Sequence, residues 1–188
     1  MVNIRLAGPE DMVRIQQCNI LNLPENYNYM YYVYHSVSWP HIIFIAEDGD
    51  KVVGYVLAKL EETDEKKTSS DTPQEAHITS LSVVRTHRKL GIATKLMRAA
   101  QYQMKNVYNC QQCSLRVRVT NRAAISLYQG VLGYEILGTE KEYYADNEDA
   151  YDMRMVFRKE KVAALLDEKH EENKTVQLMS GSPSEPTP

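Results

Sequence analysis

Leu81-Ser82-Val83-Val84, then Arg85-Thr86-His87-Arg88-Lys89-Leu90-Gly91, then Ile92-Ala93-Thr94 joins an apolar run to a helix through a basic glycine turn. Its first part ends an apolar run from His77 to Val84, which reads as a strand of the buried kind. Its last part opens an amphipathic helix, Ile92 to Val107, with Ile92, Leu96, Ala100, Met104 and Val107 on one face. A helix N-terminus leaves about four backbone N–H groups without partners and carries partial positive charge, so it receives phosphate well. Gly91 and the small Ala93 let backbone approach a bulky anion, and Arg85, His87, Arg88 and Lys89 add cationic capacity beside it. The stretch is neither a Walker loop nor a G-x-G-x-x-G fingerprint. A lone glycine in a basic turn is more often only a solvated turn, so its flanks must decide.

Outward from that stretch, strand and helix periods alternate. Val2 to Leu6 reads as a strand, and Gly8-Pro9-Glu10-Asp11 starts a helix, with proline in the first turn and acids at the positive end of the dipole. Met12, Ile15 and Cys18 or Asn19 follow at helical spacing. Pro24 interrupts, and the tyrosine-rich segment to Tyr34 reads as a second helix, stopped before Trp39-Pro40. Ile42 to Glu47 and Lys51 to Glu61 form a hairpin about Asp48-Gly49-Asp50. Glu62 to Glu75, polar and without an aliphatic side chain, reads as a mobile loop. Ser114 to Val119 alternates as a strand, Asn121 to Tyr128 reads as a helix, and Glu135 to Gly138 as a strand; Tyr151, Met153, Met155 and Phe157 mark a last strand. The order predicts an α/β fold (α+β mixed) around one mixed sheet.

Composition excludes several classes. The 188 residues, with 22 basic and 25 acidic side chains, 43% hydrophobic and 25% charged, describe a globular domain with a real core. The net charge of −3 argues against nucleic acid as main partner, since such binding rests on neutralising phosphates. Apolar runs such as Val52 to Ala58 fall far short of the roughly 20 residues a membrane helix needs, so no membrane partner is expected. No secretory signal opens the chain, and three cysteines suit a reducing compartment. The expected location is therefore the cytoplasm; the Arg85 to Lys89 cluster also fits a nuclear import signal, which makes the nucleus the second compartment. Thirteen tyrosines stand against two phenylalanines, and five of them fall between Tyr27 and Tyr34.

Strand, then [RQ]-x-x-G-x-[GA], then helix resembles the acetyl-coenzyme A (acetyl-CoA) site of the GCN5-related N-acetyltransferase (GNAT) superfamily. Downstream, Asn121, Ala124, Leu127-Tyr128 and Gly133-Tyr134 resemble its N-x-x-A-x-x-L-Y…G-[FY] block. Four residues, Gln129 to Leu132, separate tyrosine from glycine where the pattern has three, which suggests a longer turn. Leu23-Pro24-Glu25-Asn26-Tyr27, Arg118-Val119-Thr120-Asn121-Arg122-Ala123-Ala124 and Tyr143-Tyr144-Ala145-Asp146 narrow the resemblance to the catalytic subunits of N-terminal acetyltransferase A (NatA) complexes, from about Val2 to Phe157. It implies a sheet of about seven strands with splayed central strands, and residues 1–157 as the transferase domain. Residues 158–175 then form an amphipathic charged helix carrying Val162, Leu165 and Leu166, and 176–188 a disordered Ser/Pro-rich tail.

The activity implied is transfer of acetyl to protein N-termini: Ser, Ala, Thr or Gly types in the complex and acidic types for the free subunit. The partners implied are nascent chains, a large helical-repeat auxiliary subunit contacted by Met12 to Tyr34, and through it the ribosome. Acetyl transfer needs little: a peptide α-amine has a pKa of about 7.7–8.0 against about 10.4 for lysine, so a modest base frees it. The oxyanion needs one or two preorganised donors. The resemblance gives these to Leu81-Ser82-Val83, the coenzyme to Arg88, Lys89, Gly91, Ile92, Ala93, Thr94 and Asn121, and the general acid to Tyr128. It points to Glu25 as the base; His77 is the second candidate, because imidazole titrates near neutrality. Taken alone, Glu25 is more often a surface carboxylate and His77 more often a satisfied core histidine.

Leu23, Pro24, Tyr27, Arg118, Tyr143 and Tyr144 are implied to hold the peptide, whereas Tyr29, Tyr31, Tyr32 and Tyr34 read as core cover. Cys110-Gln111-Gln112-Cys113 lacks the further ligands a structural zinc needs and precedes a strand, so neither metal nor redox work is expected; Cys18 reads as core. Two alternatives stay open: a lysine or small-amine acetyltransferase of the same superfamily, and a non-catalytic module that binds coenzyme A or a scaffold.

Overall fold

The Gly49-Asp50 turn, with Gly49 at φ +58°, closes the expected hairpin between β2 (Phe44–Asp48) and β3 (Lys51–Leu60). A computed structural model describes residues 1–61 and 74–157 of the chain. The other elements are β1 (Val2–Leu6), α1 (Met12–Asn22), α2 (Tyr29–Ser38), β4 (Glu75–Val83), α3 (Ile92–Asn106), β5 (Gln112–Arg118), α4 (Arg122–Ser126), β6 (Glu135–Glu140) and β7 (Ala150–Val156). Among the described residues, seven strands form one sheet in the order β1-β2-β3-β4-β5-β7-β6, parallel only between β4 and β5. Met1–Val156 is one compact unit; of a second, Phe157–Pro188, residues 158–188 lie outside the described residues, and with them the expected C-terminal helix and tail. Residues 62–73 of the expected loop also lie outside them, while Glu75 already belongs to β4. No described helix is long and apolar enough to cross a membrane.

The sheet is covered on both faces. On one, Met12, Ile15 and Cys18 of α1 and Tyr32 of α2 pack on Ile43, Ile45, Tyr55 and Leu57. Alternation along β3 turns Gly54 to the other face, where a Cβ would come within 3.0 Å of the Ser82 carbonyl oxygen and 3.4 Å of Leu96. Glycine there lets α3 lie close to the sheet, burying Leu96, Met97, Ala100 and Met104. Each large side chain so buried contributes roughly 1.5–3 kcal/mol.

Most differences from expectation lie at element ends, where local pattern is weakest. The first turn after Gly8 is a 3-10 turn, Pro9–Asp11. Asp11 is fully buried, taking Arg5 at 2.7 Å and Arg14 at 3.0 Å, not merely facing a helix dipole. Burial opposes its charge, but the bonds from Arg5 and the Gly8 N–H outweigh that and hold its pKa below the usual carboxylate value. α2 runs on to Ser38, and Val107, expected on the apolar face of α3, lies just past its end at 45% exposure. Of the tyrosines expected to cover core, only Tyr32 is fully buried. Tyr29 and Tyr34 are exposed because they fall on the outer face of α2, and Tyr31 faces the cleft described below.

The central strands splay. β4 and β5 pair only from Glu75↔Gln112 to Ile78↔Leu115, after which both continue unpaired with each other. The break coincides with a bulge: Ile78 pairs with Ala58 and Ser80 with Leu57, leaving Thr79 extra. Beyond Asn121–Ser126, the chain makes a π-helical turn, Leu127–Val131, with the Leu132 N–H bonded to the Leu127 carbonyl at 3.1 Å. That wider turn absorbs the extra residue between Tyr128 and Gly133.

Candidate active site

The splay opens a cleft of about 1160 Å³ whose walls hold Leu23, Pro24, Glu25, Tyr27, His77, Leu81, Ser82, Val83, His87, Arg88, Lys89, Gly91, Ile92, Ala93, Thr94, Arg118, Asn121, Tyr128, Tyr143 and Tyr144; Arg85, expected to add its charge there, is not among the lining residues. Its two ends differ in chemistry. At the basic end, Gly91 caps α3 in the left-handed region, φ +74°, with Lys89 also left-handed at φ +64°. The first helical bond is Lys95 N–H to the Gly91 carbonyl at 3.0 Å, so the N–H groups of Ile92, Ala93 and Thr94 have no helical acceptor. No atom lies within 4 Å of where a Gly91 Cβ would stand.

Between the ends, β4 offers backbone donors. The Val84 N–H donates to the Val53 carbonyl at 2.9 Å, which makes those residues a hydrogen-bonded pair. Antiparallel alternation then makes Val83 (opposite Gly54) and Leu81 (opposite Val56) non-bonded pairs, with N–H and C=O turned from β3 into the gap β5 has left. Arg88 Nε donates to the Val83 carbonyl at 2.9 Å, as that orientation requires. The N–H groups of Leu81 and Val83 thus face the cleft. Tyr128, buried on the opposite wall, tilts against Tyr134 at 5.8 Å, and burial raises the pKa of its phenol, which stays protonated.

At the acidic end, three carboxylates converge on one guanidinium. Arg118 bonds Glu25 at 2.6 Å, Asp146 at 2.8 Å and Glu148 at 2.7 Å, with its plane 4.0 Å from the Tyr144 ring. Partial burial opposes its charge; the bonds to Glu148, Glu25 and Asp146 prevail and raise its pKa. Asp146 in turn is held below the usual carboxylate range by Arg118, and Glu148 by Thr120 and then Arg118. Tyr27 stacks on Tyr31 at 4.5 Å, and Tyr143 meets Tyr144 edge-on at 5.1 Å. Burial pushes the Tyr27 phenol up to about 12, so it is a neutral donor. His77 holds Ser114 Oγ at 2.9 Å through Nδ1, with Glu61 at 3.5 Å. Burial, aided by Lys59 and Arg116, outweighs the Glu61 carboxylate and lowers the imidazole to about 4, so it is neutral at pH 7.

The Acetyltransferase (GNAT) family model matches residues 12–134. The chain belongs to that family. It is an acetyltransferase, and its cofactor is acetyl-CoA. The GNAT chain is 54% identical over 155 residues to the N-terminal acetyltransferase A complex catalytic subunit NAA10 of Arabidopsis thaliana, covering 82% of this chain and 77% of the relative. To the N-terminal acetyltransferase A complex catalytic subunit ard1 of Schizosaccharomyces pombe it is 47% identical over 157 residues, 83% of this chain and 86% of the relative. Among solved structures, Chaetomium thermophilum Naa20 in complex with a bisubstrate analogue superimposes with a TM-score of 0.70 at 31% identity, covering 82% of this chain and 86% of that one.

The fold brings to the same cleft several residues that the sequence reading passed over. They are Tyr31, which also packs on the core, and Lys59, Ser80 and Arg116. Arg116 binds Glu140 at 2.6 Å and Asp152 at 2.6 Å. The alternation of β5 was the available signal, since Arg116 and Arg118 share one face, but which face borders the cleft follows from the splay. The thiols do not take part: Cys18, Cys110 and Cys113 are buried and unpaired, and burial pushes each up, to about 11, 11 and 12. Cys113 accepts from the Tyr134 hydroxyl at 3.2 Å. Among the described residues, no group of three His, Cys, Asp or Glu is placed to hold a metal ion.

Proposed function

We propose that this chain moves the acetyl group of acetyl-CoA to the free α-amino group of protein N-termini, directly and without an acyl-enzyme, as catalytic subunit of a NatA-like complex. The observation that carries the reading is Glu25, anchored by Arg118 at the mouth of the splay and walled by Tyr27 and Tyr144, within a chain about half identical to NatA catalytic subunits. Acetyl-CoA supplies an acetyl group activated as a thioester. Its fit rests on features of this chain: donors free at the start of α3, open space over Gly91, and the Leu81 and Val83 N–H groups facing the gap.

Lys89 to Thr94 would hold the phosphates, with the positive end of α3 beneath them and Arg88 pinning the turn to β4. Leu81 and Val83 would hold a carbonyl oxygen, and Ser82 and Asn121 line the wall beside it. Asn121 also caps α4, its Oδ1 accepting from the Ala124 N–H at 3.2 Å. Glu25 would take one proton of the entering ammonium, directly or through one water, and Tyr128 would give a proton to the departing sulfur, made good by the second proton that the acylated nitrogen loses. Leu23, Pro24, Tyr27, Tyr143 and Tyr144 enclose the first residue, and Arg118 fixes Glu25. His77, neutral and already bonded to Ser114, is the secondary base candidate.

The partner proposed is a large helical-repeat auxiliary subunit, bringing the enzyme to nascent chains at the ribosome in the cytoplasm, with the nucleus as second location. Ile20 and Leu21 of α1 and Met30 and Val37 of α2, exposed apolar side chains on adjacent helices, support a docking surface there. The proposed specificity is Ser, Ala, Thr or Gly in the complex and acidic termini when free. The test is a peptide with a free Ser or Glu N-terminus against its N-blocked, lysine-containing twin. The first alone incorporates label from acetyl-CoA; equal labelling overturns the N-terminal assignment.

A further inference from the structure

The two reacting sides of the cleft stand on elements far apart in sequence. The loop of Leu23, Pro24 and Glu25 leaves α1, whereas the free N–H groups of Leu81 and Val83 belong to β4. β4 is weakly held at this point. β5 has parted from it after Ile78, and the Thr79 bulge interrupts its ladder with β3 just before Ser80.

A row of buried side chains crosses that point. Asn19 Nδ2, late in α1, donates to the Tyr55 hydroxyl at 2.7 Å, and the Tyr55 and Ser80 hydroxyls bond at 2.6 Å. With the Asn19 amide donating, the Tyr55 oxygen shares a second bond with Ser80 in which either hydroxyl can donate. Asn19 and Tyr55 are fully buried and Ser80 nearly so, so bulk water does not compete for these bonds.

Both ends of the row meet the site. Ser80 lines the cleft immediately before Leu81, and Tyr55 sits opposite Ser82 in the ladder, so its bond to Ser80 runs diagonally across Leu81. At the other end, the Asn19 carbonyl accepts the Leu23 N–H at 2.9 Å, where the loop carrying Glu25 departs. We infer that Tyr55 is a positioning residue for the transfer reaction: its hydroxyl sets the donor segment of β4 at a fixed distance from the end of α1 that carries the proposed base. This rests on the roles proposed above for Glu25, Leu81 and Val83.

The test uses the full chain with Tyr55→Phe, Ser80→Ala and the double variant, scored as kcat per molecule competent to bind acetyl-CoA by calorimetry. Amide hydrogen exchange at Ser80 and Ser82, whose N–H groups turn toward β3 in the bonded pairs Ser80↔Leu57 and Ser82↔Tyr55, is read in the absence of substrates. Each single variant is expected to lose about tenfold in kcat with the acetyl-CoA dissociation constant within about twofold, and the double to lose no more than the worse single. Exchange at the two amides rises about tenfold while α3 is unchanged. Unchanged kcat per competent molecule, losses that multiply in the double variant, or unaltered exchange overturns the inference. Ser80→Ala keeps it testable if Tyr55→Phe does not fold. A wild-type chain that fails to acetylate the free N-terminal peptide overturns the proposed function instead, and the exchange measurement still decides the positioning role.

Discussion

The two ends of the cleft are built in opposite ways. The basic end comes from one continuous stretch, Leu81 to Thr94, and works largely through main-chain N–H groups. The acidic end is gathered from α1's trailing loop, the end of β5 and the β6–β7 connection, and works through side chains whose charges hold one another. A main-chain site tolerates side-chain change and loses mostly binding; a side-chain site fails residue by residue and loses turnover.

The sharpest break in that contrast is Glu25→Gln. It is expected to lower kcat about 10²-fold or more with acetyl-CoA affinity unchanged, measured by steady-state kinetics and calorimetry. Retention of kcat would move the base elsewhere in the cleft. Arg118→Met comes next, with about 30-fold expected in kcat/KM for the peptide, mostly in kcat because Glu25 loses its anchor. It also reads out in pH. Asp146 and Glu148 have folded pKa values below their unfolded ones, so their contribution is present above the unfolded pKa and lost as pH falls through the folded value. Without Arg118, the acid limb of a Tm-against-pH curve becomes shallower.

At the basic end, Gly91→Ala forces a Cβ into φ +74° but meets no neighbouring atom, so backbone strain is the whole cost. About a tenfold weaker acetyl-CoA Kd is expected, with kcat at saturation nearly unchanged. The smallest effect is His77→Gln, within about threefold in kcat at pH 8 if Glu25 is the base. Its signature is stability. The imidazole's folded value of about 4 lies below its ordinary 6.5, so wild-type stability falls as pH drops through that window, where only the unfolded chain takes the proton. His77→Gln removes the His77 share of that fall in thermal melts between pH 7 and pH 4, while buried His35, also held below its ordinary value by burial, keeps its own. A loss of kcat equal to that of Glu25→Gln would instead make His77 an equal partner.

Legibility in the sequence follows the same division. The strand, glycine turn and helix from His77 onward were readable because hydrophobic period, glycine and helix start are local signals. The extra residue after Tyr128 announced a longer turn, and the π-helical turn supplies it. Glu25 and Arg118 stand 93 positions apart, and nothing in either neighbourhood announces their 2.6 Å contact; resemblance to known motifs placed them, not periodicity. The Asn19–Tyr55–Ser80 row carried no signal at all, since a tyrosine in an apolar strand and an asparagine on a helix face read as ordinary core. Tyr31 covers the core as expected, but nothing local announces that it also lines the cleft.

By itself, then, the sequence determined the order of strands and helices, the burial of α3 and the phosphate-ready turn at Gly91, because these depend on side-chain period and on backbone preferences of a few adjacent residues. Packing sets the point after Ile78 at which β4 and β5 part, turns the Leu81 and Val83 N–H groups into the gap, and gives three carboxylates one Arg118 to share. The physical reason is range. Periodicity acts over a few residues, whereas register, bulge and the balance of charges in a cleft exist only once distant segments are packed against one another.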